Sequence, residues 1–108
     1  MENLEIKLKA LEKLINRLLT DRFPEIFTKI KVIKMGNEVY SDFVAFHYNI
    51  YLTPETLKNF EHAKWSSFEY YFDFLTNGKK FHEYLTSAPK IILGPTRFHY
   101  NYILMKNY

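Results

Sequence analysis

The sequence predicts an α+β domain in which two tandem αββ units, 1–53 and 54–108, build one four-stranded antiparallel sheet with helices packed on one face. Three observations lead there. Phe46, His47, Tyr48 and Asn49 recur as Phe98, His99, Tyr100 and Asn101, and each copy runs on into three large apolar or aromatic residues. With the period of two that a strand imposes, each copy sends Phe and Tyr to one side and His and Asn to the other, the pattern of a half-buried strand. The repeat also extends upstream: Phe23, Glu25, Thr28, Ile33 and Gly36 match Phe81, Glu83, Thr86, Ile91 and Gly94 at one constant offset. Finally, leucines at helical spacing open the chain.

That opening segment, 2–20, places Leu4, Leu8, Leu11, Ile15 and Leu18 on one helical stripe, widened by Leu14 and Leu19. Lys7, Lys9, Glu12, Lys13, Asn16 and Arg17 take the rest of its surface. The stripe doubles as a heptad seam, so it suits either packing on the sheet or a homodimer. Pro24 ends the helix. A first strand over 27–35 interleaves Lys29, Lys31 and Lys34 with Ile30, Val32 and Ile33. Gly36 and Asn37 suit a tight turn, and 38–52 returns as a long strand whose alternation is broken at Ser41 and Asp42.

Thr53, Pro54 and Glu55 combine a hydroxyl cap, a first-turn proline and an acid, a helix start. Ser66, Ser67, Phe68 and Glu69 form a second capping pattern, and Asn77 with Gly78 is a stop. A short helical turn over 80–85 precedes Pro89. A third strand over 90–93, a Gly94–Pro95 turn and a fourth strand over 97–105 complete the expectation. Phe46, Tyr48, Phe98 and Tyr100 then floor the core, and His47, Asn49, Arg97, His99 and Asn101 stand on the open face.

A chain of 108 residues suits a single domain that folds without staples. It contains no cysteine, which excludes disulfides, thiolate metal sites and cysteine nucleophiles. No apolar run reaches the length of a membrane span and no signal-peptide core is present, so a cytoplasmic protein is expected. His47, His82, His99 and Glu83 lack metal-ligand spacing, and neither a P-loop nor a dinucleotide fingerprint occurs, so no metal or cofactor is expected.

The net charge of +3 is mild, but its lysines cluster around the strands. Lys29, Lys31, Lys34, Lys90 and Arg97 are the candidate contacts for nucleic acid or another anionic ligand, joined by Lys79 and Lys80, with Tyr40, Tyr51 and Trp65 as stacking groups. The expected function is therefore a small binding module of viral or mobile-element type, with a protein-directed inhibitor or adaptor as the alternative. A third class uses His47 and His99 as general base and acid, with Asn49 and Asn101 holding phosphoryl oxygens. On residues 46–50 and 98–102 the plan resembles that of the two-histidine phosphoesterases, whose halves each contribute a hydrophobic, His, hydrophobic, Thr or Ser strand. Here Asn stands where that family has its hydroxyl residue.

Overall fold

A computed structural model of the chain describes residues 4–35 and 43–106. In chain order the elements are helix α1 (Leu4–Ile15), a π-helical segment (Asn16–Thr20), strands β1 (Phe27–Lys34) and β2 (Phe43–Leu52), helices α2 (Pro54–Ala63), α3 (Phe68–Thr76) and α4 (Phe81–Leu93), and strand β3 (Arg97–Met105). The sheet order is β1-β2-β3 among the described residues, with β1 antiparallel and β3 parallel to β2. The class is α+β, but the sheet is three-stranded and mixed, which corrects the expectation of tandem αββ units in a four-stranded antiparallel sheet. Gly36, Asn37, Tyr40, Ser41 and Asp42, assigned from sequence to a turn, a stacking group and a break, lie outside the described residues.

The correction has one origin. The segment 90–93, expected as a strand, is the last turn of α4, and Pro89 sits inside that helix. Phe81, Leu85, Ala88, Pro89 and Leu93 are all buried and fall on one helical stripe. Proline at this position removes the amide that would bond the carbonyl of Leu85, four residues back. The hydroxyl of Tyr48, from the middle of β2, donates to that carbonyl instead, at 3.1 Å. With the orphaned acceptor satisfied, the helix passes through its proline and continues to Gly94, whose φ of 70° turns the chain away. The chain after β2 travels through three helices before it re-enters the sheet, which gives it the crossover that the observed parallel pairing of β3 with β2 requires.

The caps follow the sequence. Thr53 caps α2, its side chain accepting from the Thr56 amide at 3.4 Å with Pro54 in the first turn, and Ser67 caps α3 by accepting from Tyr70 at 3.3 Å. Asn77 closes α3 in the left-handed region, φ 59°.

β2 is the central strand and alternates strictly, with Val44, Phe46, Tyr48, Ile50 and Leu52 buried beneath the helices. Phe46 and Tyr48 meet edge to face at 5.2 Å, and Phe27, Phe68, Phe72 and Phe81 form an aromatic cluster above the sheet. On the outer strand Phe98, Tyr100, Tyr102 and Leu104 are only half-buried. Burial holds the Tyr48 hydroxyl well above the usual tyrosine range and raises that of Tyr100; for Tyr102 burial is joined by a hydrogen bond to Glu69. The leucine stripe of α1 is turned inward: Leu8, Leu11 and Ile15 are buried, and Leu4, Leu14 and Leu18 pack against the core.

α1 and the π-helical segment that follows it also seal one edge of the sheet. The Asn16 amide oxygen accepts from the Ile30 amide at 2.9 Å and from the Thr20 hydroxyl at 2.9 Å. Its nitrogen donates to the carbonyls of Ile30 at 2.6 Å and Glu12 at 2.8 Å, so the hydrogen-bonding capacity of the side chain is filled. One turn earlier the Glu12 carboxylate accepts from the Val32 amide at 2.8 Å. Two side chains thus act as a surrogate strand along β1, and the π-helical segment begins at the residue that makes the closest approach.

Two outcomes are expected from equilibrium urea unfolding. Tyr48→Phe costs about 1–3 kcal/mol by leaving a buried carbonyl unpaired, and the penalty shrinks in a Pro89→Ala background, where the helix supplies its own amide. Equal penalties in both backgrounds would dissociate the hydroxyl from the proline. Asn16→Ala costs about 1–3 kcal/mol, whereas Arg17→Ala at its exposed neighbour stays within about 0.5 kcal/mol.

Candidate polyanion-binding face

The strand alternation that buries one side of the sheet leaves the other side without a helix among the described residues, and the pairing register orders its side chains into rows. One row runs Ile33, His47, Asn101; the next runs Lys31, Asn49, Ile103; a third runs Lys29, Tyr51, Met105. Ala45 pairs with His99, and Phe43 with Arg97. The identical strands of the repeat therefore lie side by side and parallel, displaced by two residues, so that Phe46 pairs with Tyr100 and His47 with Asn101.

That displacement decides the chemistry. His47 Nδ1 is hydrogen-bonded to the Asn101 amide oxygen. A carbonyl oxygen only accepts, so Nδ1 carries the proton, and in the neutral imidazole Nε2 is the remaining acceptor. His99 instead packs against the Phe43 ring, centroids 4.5 Å apart. Asn49 is flanked by Lys31 and Ile103. Of the four residues put forward as a paired site, His47 and Asn101 meet, and His99 and Asn49 stand on the same face without meeting.

The basic residues divide similarly. Lys29 and Lys31 are on the open face of β1, and the Lys29 ammonium sits 4.6 Å from the centre of the Tyr51 ring, a cation–π contact. Arg97 opens β3 on the same face. Together with Lys90, Pro95, Thr96 and His99 it lines an open depression of about 650 Å³ that has no acidic residue in its wall. Lys34 is exposed, but its register partner is Phe46, which places it at the end of β1 on the helical side. Lys80 is paired with Asp73, whose hydrogen bond and charge raise its pKa, and belongs with Lys79 to the α3–α4 turn. Trp65 packs in the helical layer against Tyr71 and Phe74.

Among the described residues no group of acidic and histidine side chains is arranged to hold a metal ion, and no helix is long and apolar enough to cross a membrane. Comparison with known proteins finds no matching family model, no similar curated protein and no similar solved structure.

The exposed apolar members of the face, Ile33 and Ile103, escaped sequence reasoning, as did the Lys29–Tyr51 contact. Their signal was available in the alternation of 27–34 and 97–105, but only the strand register shows that they frame the His47–Asn101 pair.

The His47 tautomer is directly measurable. Two-bond proton–nitrogen correlation spectra of the neutral ring are expected to show Nδ1 protonated in the wild type and the preference lost in Asn101→Ala. His99→Ala, on the exposed face, is expected to change stability by less than about 1 kcal/mol.

Proposed function

We propose that the protein is a binding module that holds a polyanion, single-stranded nucleic acid foremost, across the open face of its sheet. The observation that carries this reading is the charge of the three strands. They bear Lys29, Lys31, Lys34, Arg97, His47 and His99 and not one acidic residue, although the chain as a whole has 12 Asp and Glu against 15 Lys and Arg. A random division of those charges would put several acids on the sheet. Lys29 and Lys31 stand toward one edge of the face and Arg97 with Lys90 toward the other, an arrangement in which a strand of phosphates crosses the sheet and meets cations at both ends of its path. Between them Tyr51 and the Phe43–His99 pair offer π-surfaces, and Asn49, Asn101 and the His47 ring offer polar atoms to base edges. Phosphate and stacking contacts of this kind bind with little regard to sequence.

A second reading, protein-directed adaptor, is favoured by a separate feature. Tyr70 and Phe74 on α3 are 64% and 66% exposed, and Trp65 lies 5.3 Å from the Phe74 ring, so the helical layer carries an aromatic patch of its own.

Fluorescence anisotropy with labelled oligo-dT and oligo-U distinguishes the two. Binding is expected to weaken linearly on a logarithmic salt axis, and Lys31→Ala or Arg97→Ala is expected to weaken it and lower the salt slope by about one each. Lys58→Ala, on the exposed side of α2, leaves it unchanged. No binding at low salt, or binding indifferent to salt, would overturn the polyanion reading; turnover of the oligonucleotide dependent on His47 and His99 would revive the phosphodiesterase class.

A further inference from the structure

The two edges of the sheet are treated in opposite ways. Along β1, the side chain of Asn16 from the π-helical segment occupies the Ile30 amide and carbonyl, and that of Glu12 from α1 the Val32 amide. β3 is the other edge strand, and among the described residues no helix, loop or side chain bonds its outer backbone. It is nine residues long, and between Arg97 and Met105 it has no proline, no lysine and no acid, the devices that normally protect an edge from pairing. The half-burial of Phe98, Tyr100, Tyr102 and Leu104 shows that the helical layer stops short of covering it.

We propose that β3 pairs antiparallel with β3 of a second copy about a two-fold axis through Asn101, joining two three-stranded sheets into one of six strands. The occupant is argued from the strand's complementarity to itself. In that register Tyr100 faces the second copy's Tyr102, and Phe98 faces its Leu104, so every half-buried residue of the helical side meets an apolar partner. On the open side Arg97 faces Met105 and His99 faces Ile103, so no like charges are opposed. At the axis Asn101 meets Asn101. Its oxygen is engaged by His47, and its amide nitrogen is the donor that remains at the edge. Isologous pairing uses each residue twice and closes at two copies, because the far edge of each sheet is sealed by Asn16 and Glu12. The leucine seam of α1, which the sequence alone offers as a dimer contact, is engaged in the core and takes no part.

The pairing does not depend on any ligand, and its test uses none. Sedimentation velocity of the wild type is expected to show a reversible monomer–dimer equilibrium, and Ile103→Lys, at a half-exposed position that would then face His99, weakens it about tenfold across its two symmetric contacts. The natural chain has no cysteine, so single cysteines report geometry cleanly. Asn101→Cys is expected to form an intermolecular disulfide rapidly under mild oxidation, since residues directly opposed across strands have Cβ atoms about 4.5–5.5 Å apart. Lys31→Cys, on β1 at the sealed edge of the sheet, is expected to form no intermolecular disulfide under the same conditions. A wild type that remains monomeric at high micromolar concentration, or Asn101→Cys oxidising no faster than Lys31→Cys, would overturn the proposal, whatever the oligonucleotide measurements show.

Discussion

A buried hydroxyl ties the helical layer to the middle of the sheet. Tyr48 stands at the centre of the central strand, fully buried, and its phenol oxygen reaches the one helical carbonyl that Pro89 deprives of an amide. The hydrophobic effect explains why α4 lies on the sheet, but it is non-directional and allows a helix to slide or rotate. The Tyr48–Leu85 bond, with the Tyr100–His82 bond at 2.6 Å beside it, restricts that freedom. With α4 so placed, Phe81 seats against Phe27 and Tyr102, and the helix runs on to Gly94 before β3 enters the sheet.

The edges and faces of the sheet extend the same logic of satisfied polar groups. Every backbone group must find a partner or water. Along β1 the partners are Asn16 and Glu12; along β2 they are the two neighbouring strands; along β3 the outer row is left to solvent or to another chain. The open face carries Lys29, Lys31 and Arg97. None of the three strands carries an acidic residue, and aromatic and amide groups stand among the cations of the face.

The repeated tetrapeptide illustrates how identical strands acquire different roles. Both copies alternate alike, and both turn Phe and Tyr toward the helices. Yet parallel pairing displaced by two residues joins His47 to Asn101 and leaves His99 against Phe43. The central copy is buried to completion and the edge copy only by half, so the same residues carry different energetic weight.

Much of this molecule was legible in the sequence because it depends on neighbours a few residues apart. The leucine stripe of α1, the Thr53 and Ser67 caps, the Asn77 stop and the face of each FHYN strand all follow from periods of 3.6 and 2 and from local hydrogen-bonding chemistry. The candidate face was legible to the same extent: His47, Asn49, Arg97, His99 and Asn101 were assigned to one side, and Lys29 and Lys31 join them there. What the sequence alone could not determine depended on groups far apart in the chain. Pro89 locally favours the end of a helix, and only a tyrosine from a distant strand overrides that preference by supplying the missing donor. Asn16 and Glu12 look like solvated helix residues until the edge of β1 is beside them. Strand order, the parallel sense of β3 and the meeting of His47 with Asn101 all descend from the crossover that Pro89 no longer interrupts. Tertiary structure decided them because a polar group's cost is fixed by whether any partner, however distant in sequence, arrives to satisfy it.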